Sequence, residues 1–512
     1  MMADPQVLIV GAGPTGLVLA LWLAKLGVPF RIIEKNSGPG QTSRAMAVQA
    51  RTLEFYRQVG IADEVVRRGI KAERFRLHRN GRGKDTVLSF GDFGKDLSPY
   101  PFVLTFPQDE HERLLGEVLS GLGTKIEWNT ELTGFTNVSD GIEATLRANG
   151  QEKKCAVSFL CGCDGVHSAV REGLELKFPG GIYDQMFFVA DLAADGAPVN
   201  GDINFFLGLH QLCLTFPIRT TGMVRLIGIL PKEAAGRDNV TFEDIRENFE
   251  KTLSIHVDKV NWFSTYHVHH RVAEHFRMGR VFLCGDAGHL HSPAGGQGMN
   301  TGIGDAVNLS WKLAAVLGGK ASDSILDSYE TERIACAKTL VSSTDRAFRA
   351  LVQDNLVGEA MRGFVFPHLL PYLFEVSVVR RLQFRLVSQT RINYRNSPLS
   401  EGIAGNVHGG DRLPWVDVSE GGNFAPLKSL DWQIHIYGQA GDALRRAAFD
   451  SKLALHEFDW SEQADRAGLK RDAMYLVRPD GHVALADSTQ DVGKLRRFVS
   501  RFKIAPFQPS PS

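Results

Sequence analysis

The stretch Val7-Leu-Ile-Val10 runs straight into Gly11-Ala-Gly13-Pro-Thr15-Gly16, and after an apolar helical pattern through Leu17, Leu19, Leu21 and Leu23 to Gly27 comes Phe30 to Glu34. A β-branched run, a GxGxxG turn, a helix and a second strand make a βαβ unit of dinucleotide-binding length. Each glycine has its physical reason. Gly11 permits the tight turn, Gly13 lets the backbone approach a pyrophosphate, and Gly16 lets the helix pack on the sheet, while the helix N-terminus turns its N–H groups toward the phosphates. Glu34, at the end of the second strand, places a carboxylate where it accepts from the ribose hydroxyls of an adenosine. This unit alone does not decide between NAD and FAD, which share it.

Working outward, 512 residues are long for one core and suggest about three domains at roughly 100 to 200 residues each. Lys+Arg and Asp+Glu are equal at 58, so charge gives no reason to expect nucleic acid or an anionic membrane as partner. Six cysteines, several in apolar runs, point to a reducing compartment without a structural disulfide. Cys161 and Cys163 form a CxC pair, but no second Cys or His pair follows at zinc-site spacing, so no metal is expected. His267, His269 and His270 alternate across a strand, with no further ligand at a helpful spacing, and read as a polar strand face or substrate contact. The N-terminus lacks a basic region before its apolar run. The longest apolar helix, near Thr15 to Leu26, falls short of the ~20 residues that span a bilayer. These features predict a cytoplasmic protein.

A second segment carries more information: Arg280-Val-Phe-Leu-Cys-Gly-Asp286-Ala-Gly-His289, then Ser292-Pro293-Ala-Gly295-Gly296-Gln297-Gly298-Met299-Asn300, then Gly302 and Asp305-Ala-Val-Asn308. A strand delivers Asp286 to a loop where its carboxylate can bind a polyol. A glycine-rich turn then opens a helix whose N-terminal amides can stabilise an anion such as a reduced flavin. A third segment, Phe159-Leu-Cys-Gly-Cys-Asp164-Gly165-Val-His-Ser168-Ala-Val-Arg171, is a strand ending in Asp-Gly before a short helix. Read by itself, Asp164 there has a helix cap or turn residue as its lesser alternative.

With these segments in this order the chain resembles the p-hydroxybenzoate hydroxylase family of FAD-dependent aromatic monooxygenases, departing from its pattern at Gly288, where an Ala is usual. The resemblance implies non-covalent FAD, with Gly11, Gly13, Thr15, Gly16, Glu34 and Lys35 at its adenosine and pyrophosphate end and Asp286 on the ribityl chain. It puts Gly295, Gly296, Gln297 and backbone groups of Gly298, Met299 and Asn300 at the ring. Arg44, Gln108 (with Glu112 and Leu115 near it), Asp164 and Gly165 also fall where relatives contact FAD, and the resemblance links the Asp164-Gly165 segment with NAD(P)H binding as well. It implies NADPH or NADH and molecular oxygen as co-substrates, and hydroxylation of a phenolic or polycyclic aromatic substrate through a flavin C(4a)-hydroperoxide. Arg44 is carried over as coupled to flavin movement, Pro293 as a backbone carbonyl beside the substrate; no general base is named.

The fold class expected is α/β: a Rossmann-like FAD-binding domain over 1–175 and 276–400 with following helices, and an inserted, mostly antiparallel β-sheet substrate domain over 176–275. The insertion rests on short β-rich runs at Phe187 to Ala190, Ile203 to Leu207, Cys213 to Phe216 and Val224 to Leu230, with Phe187, Phe205, Phe206, Leu214 and Phe216 as candidates to roof a pocket. The run Glu401-Gly-Ile-Ala-Gly-Asn-Val-His-Gly-Gly-Asp-Arg-Leu-Pro-Trp415 reads as a linker or domain entrance. Residues 401–512 resemble the thioredoxin-like extension of phenol and polyketide hydroxylases, best at Tyr475 to Leu485, yet contain no cysteine and so no CxxC. That unit is expected to be structural or interfacial, with a homodimer left open and FAD binding surviving its removal if the remaining fragment is soluble, at some loss of stability. A flavin halogenase would carry WxWxIP, which is absent; a Baeyer–Villiger or other oxidative tailoring enzyme and a non-catalytic flavin-binding redox sensor stay open as alternatives.

Overall fold

The computed structural model describes residues 5–40, 45–72, 74–79, 86–89, 94–196, 201–207, 212–218, 223–231, 234, 237, 239–292, 295–352, 377–418 and 421–507. The opening unit forms as β1 (Val7–Val10), α1 (Pro14–Lys25) and β2 (Phe30–Ile33). Every residue of β1 is buried, as a strand covered on both faces must be. β1 pairs in parallel with β2 on one side and with β3 (Phe159–Gly162) on the other, and β3 pairs in parallel with β4 (Val281–Leu283). All four therefore end on the same edge of the sheet, where ligands of open α/β sheets bind.

A second sheet of eight strands runs His289–Leu290, Ile255–Val272, Gly180–Gly196, Met223–Ile229, Leu212–Ile218, Ile203–Leu207, Arg74–Arg79, Thr86–Ser89. It is antiparallel except where Ile203–Leu207 meets Arg74–Arg79. The four β-rich runs read from the sequence all lie in it. Arg74–Arg79 and Thr86–Ser89 join it from far upstream, a long-range pairing that local pattern does not reveal. The meander Thr130–Val138, Gly141–Ala148, Gln151–Val157 also escaped the sequence reading.

The C-terminal sheet has the order Val407–His408, Glu401–Ala404, Val483–Asp487, Met474–Val477, Gln433–Tyr437, Ala454–Phe458. The stretch from Glu401 is thus not a linker: Glu401–Ala404 pairs in parallel with Val483–Asp487 and turns back onto Val407–His408. Its glycines reflect close backbone passage rather than looseness, since a Cβ on Gly402 would overlap the carbonyl oxygen of Ala486. This sheet shares a continuous apolar core with the first sheet, and Trp432 meets Trp311 edge-on with ring centroids 5.6 Å apart.

Four further helices matter below: α2 (Ala50–Gln58), α3 (Gly298–Leu317), α4 (Asp327–Val352) and α5 (Ser377–Val387). Among the described residues no helix is long and apolar enough to cross a membrane, and no group of three or more His, Cys, Asp or Glu side chains is placed to hold a metal. All six cysteines are free.

Candidate functional site

At the shared edge of the first sheet the three sequence motifs touch one another. A Cβ on Gly11, whose φ is +103°, would lie 2.7 Å from the carbonyl carbon of Cys163 and 2.9 Å from Cα of Asp164, so the first glycine loop needs its glycine to pass the Asp164-Gly165 turn. A Cβ on Gly285 would lie 2.6 Å from Oγ1 of Thr15, and one on Gly302 would lie 3.1 Å from Cα of Gly285. Thr15 is therefore packed where α1, the Asp286 loop and α3 meet.

The first loop fits a pyrophosphate. α1 begins with Gly13 at its N-cap and Pro14 after it, with no side chain capping its free amides. A Cβ at Gly13 would meet nothing within 4 Å, whereas one at Gly16 would overlap the carbonyl oxygen of Gly11. Gly16 is a packing requirement and Gly13 is open ground. Glu34 closes the loop from β2, accepting from Ala12 N at 2.9 Å with Oε2 and from Asn36 N at 3.0 Å with Oε1. Lys35 beside it is exposed.

Asp286 is exposed on the short turn Gly285–Ala287, and that turn is gripped on both sides. Gly285 N donates to Oδ2 of Asp305 at 2.9 Å, and Arg171 donates to the carbonyl oxygen of Ala287 at 3.0 Å. Burial alone would raise the Asp305 carboxyl, but the guanidinium of Arg333 and His289 beside it hold it below the usual carboxylate range. Arg333 donates to Asp305 at 2.5 Å and reaches the carbonyl oxygen of Thr301 at 3.0 Å and Tyr394 Oη at 2.8 Å. The departure at Gly288 has a cause in packing, since a Cβ there would crowd the Phe276 ring at 3.2 Å.

The turn into α3 uses two left-handed glycines, Gly295 (φ +78°) and Gly296 (φ +61°). The side chain of Asn300 pins it: its amide donates to Ala47 O at 2.8 Å and Gly296 O at 2.9 Å, and its oxygen accepts from Gln49 N at 2.9 Å and Thr52 Oγ1 at 2.8 Å. That saturates the side chain, so only the backbone of Asn300 is left to face a ligand. Gln297 and Met299 are half-buried at the helix start. His291 donates from Nδ1 to Ser292 O at 2.9 Å, which leaves Nε2 an acceptor, buried and without a partner among the described residues, close to Gly298. Burial pushes its pKa down to about 4, so it is uncharged at neutral pH. Ser292 Oγ is also buried and, among the described residues, without a partner. Open helix amides beside such polar atoms suit the heteroatom-rich edge of a flavin.

Gln108 is not free to reach far: it donates to Oε1 of Glu112 at 2.8 Å, and Oε2 of Glu112 accepts from Gly40 N at 3.1 Å. The carboxylate of Asp164 is spent on its own turn, accepting from Ser168 Oγ at 2.6 Å and Val170 N at 3.2 Å. Gly165, at φ +80°, makes that turn possible. Arg44 and Pro293 lie outside the described residues. Of the aromatic residues proposed to roof a pocket, Phe216 packs with Phe75, Ala47, Ala72, Val103 and Ile203, and a Cβ on Gly296 would lie 2.8 Å from Cβ of Ala47. Phe205 lies against Phe75 at 5.7 Å. Phe206, one residue on, faces the other way into a separate core, and Phe187 sits with Tyr183 and Val268. Sequence reasoning missed Gln49, Arg333 and His291 and gave Arg171, quoted at the end of the Asp-Gly segment, no role; Gln49, Arg171 and Arg333 act across 28 or more residues of chain on the Asp286 loop or α3.

Residues 4–344 match the family model described as an FAD binding domain. The chain is 34% identical over 545 residues, covering 99% of it and 95% of the relative, to the 6-methylpretetramide 4-monooxygenase of Streptomyces rimosus. The chain belongs to the FAD-dependent aromatic monooxygenases. It is also 32% identical over 429 residues to the pentachlorophenol 4-monooxygenase of Sphingobium chlorophenolicum, covering 81% of this chain and 77% of that one. The solved anhydrotetracycline hydroxylase of Streptomyces rimosus superposes with a TM-score of 0.78 at 27% identity, covering 99% of both chains. This monooxygenase therefore binds FAD, and the family resemblance read from its three motifs is established.

Proposed function

We propose that this monooxygenase hydroxylates a phenolic or polycyclic aromatic substrate at the expense of NAD(P)H: the ring C–H, dioxygen, NAD(P)H and a proton give the ring C–OH, NAD(P)+ and water. The observation that carries this reading is the meeting of three loops on one sheet edge beneath an aromatic sheet face that includes Phe75 and Phe216. The substrates named for the relatives, a pretetramide, a chlorophenol and an anhydrotetracycline, are of the same class. The flavin, when bound, supplies the electron transfer from NAD(P)H and the activation of dioxygen.

The protein's work is to bind, orient and exclude water. Gly11, Gly13, Thr15 and Gly16 hold the pyrophosphate on the amides of α1, and Glu34 with Lys35 holds the adenosine ribose. Asp286 holds the ribityl chain, on a turn fixed by Asp305 and Arg171. Gly295 to Asn300 present backbone to the ring, where the positive end of α3 favours the anionic reduced form. Gln108, Asp164 and Gly165 shape the loops around it, and Arg44 and Pro293 keep the roles that the resemblance assigns. In this reading the eight-stranded sheet bounds the substrate pocket, and the C-terminal unit, thioredoxin-like but without cysteine, carries no electrons.

The test is a screen of phenols and polycyclic aromatics for stimulated NAD(P)H oxidation by the yellow, FAD-loaded protein, followed by product analysis. A product one oxygen heavier with its rings intact supports hydroxylation. Ring expansion would replace this reading with a Baeyer–Villiger one, and NAD(P)H oxidation that no aromatic compound stimulates would remove it.

A further inference from the structure

Away from the flavin loops, a cleft of about 360 Å³ lies between α5 with the turn after it, the corner at Asp96 and Leu97, and three segments of the C-terminal unit. Its walls carry six arginines, Arg381, Arg385, Arg391, Arg395, Arg412 and Arg466, against two aspartates, Asp96 and Asp411. Arg395 is paired with Asp411 at 2.6 Å and Arg412 with Glu54 at 2.5 Å. Among the described residues, the side chains of the other four make no ion pair or hydrogen bond. Partial burial against the cleft wall, together with the guanidinia of Arg381, Arg412 and Arg391, pushes Arg385 below its ordinary value. Gathering like charges in a concavity is unfavourable unless an anion enters it.

The shape favours a small ligand. Its volume is that of a small-molecule pocket, guanidinium forks match phosphate oxygens, and Ile392, Val407, Pro414 and Trp415 add an apolar wall suited to a flat ring. The cleft is also tied to the flavin side. Between Arg385 and Arg391, Gln389 donates to Thr301 Oγ1 at 2.8 Å, in the first turn of α3, and Ser388 O accepts from Arg51 N at 3.2 Å.

We propose that this cleft binds the phosphate-bearing part of a nucleotide, with the guanidinia of Arg381, Arg385, Arg391 and Arg466 as its anion-binding groups. The identity of the nucleotide rests on the functional reading above: it is the phosphorylated adenosine end of NAD(P)H.

The test uses the full FAD-loaded chain, titrated calorimetrically at fixed ionic strength with adenosine 2′,5′-bisphosphate and with inorganic phosphate. The variants are Arg385→Gln/Arg391→Gln on one wall and Arg466→Gln on the other. All three side chains are exposed, so flavin content and melting temperature should hold and report that the fold is intact. Losing charge-assisted hydrogen bonds should weaken bisphosphate binding by about ten-fold or more in the double variant, with a smaller loss for Arg466→Gln. The bisphosphate should bind more tightly than inorganic phosphate. No binding to the wild type, equal affinity for the two probes, or binding that both variants leave unchanged overturns the proposal. Bisphosphate binding that the variants weaken, in a protein that oxidises no NAD(P)H with any aromatic compound, supports the cleft and sinks the functional reading separately.

Discussion

Arg478 and Glu332 meet in a doubly hydrogen-bonded ion pair, at 2.7 and 3.0 Å, with both side chains fully buried and 146 residues of chain between them. Glu332, on α4, also accepts from Lys312 at 2.8 Å, Asn308 at 2.6 Å and Ser397 at 2.6 Å. Asp480 pairs with Arg478 at 2.5 Å, and its carbonyl oxygen accepts from Arg51 of α2 at 2.7 Å. The same interface holds Arg412 against Glu54. The C-terminal unit is therefore joined to the flavin-binding scaffold by buried charge as well as by Trp432 on Trp311.

Removing one member of such a pair leaves its partner buried without compensation. Arg478→Met should cost about 3 to 5 kcal/mol of stability, seen as a lower midpoint in chemical or thermal unfolding. A fragment ending at Ser400 loses Arg412, Arg478 and Asp480 together and exposes the apolar core around Trp311. It should aggregate or fail to fold rather than persist as an FAD-binding body; recovery of a soluble, yellow fragment would show that the interface contributes far less than its burial implies.

Two glycines of the first loop should respond differently to the same substitution. Gly16→Ala drives a methyl group into the carbonyl oxygen of Gly11 and should lower stability whether or not FAD is present. Gly13→Ala meets no protein atom, so the protein without FAD should keep its melting temperature while FAD affinity falls. Thermal shift with and without added FAD separates the two.

Asp286→Ala should lower FAD affinity by about 10- to 150-fold, the worth of a charged hydrogen bond of roughly 1.5 to 3 kcal/mol. Glu34→Ala should weaken FAD through its adenosine end and leave the flavin absorption maximum unmoved. It also frees Ala12 N, whose acceptor Glu34 supplies. Unchanged occupancy on equilibrium dialysis would take either residue out of the site.

Acid should loosen the interface. Burial would raise the Glu332 carboxyl, but Arg478 and Lys312 outweigh it and hold its pKa at about 2, against an ordinary 4.5. A carboxyl depressed in the folded state gives stability that is full above the ordinary value and lost as pH falls through the folded one. Stability should therefore decline between pH 4.5 and about 2, and Glu332→Gln, less stable at neutral pH, should show a flatter decline across that window by urea unfolding.

Local order was legible in the chain by itself. Val7–Val10, the helix after it and Phe30–Ile33 follow from β-branched and apolar periodicity broken by glycine, and Ile203–Leu207 has the bounds that its β-rich run predicts. The three glycine-bearing motifs named the flavin family because each is a contiguous run whose turn chemistry does not depend on distant residues. What the tertiary structure alone decided is which distant groups hold those runs in place: Asp305 with Arg333 and Arg171 behind Asp286, Asn300 across to Ala47 and Gln49, and Arg478 on Glu332. Turn-forming residues from Glu401 suggested a linker or a domain entrance, and they build a paired edge of the C-terminal sheet because glycine serves close backbone approach as well as looseness. Pairing of strands and burial of charge depend on contacts between segments far apart in sequence, and such contacts leave no period or spacing in the chain to be read.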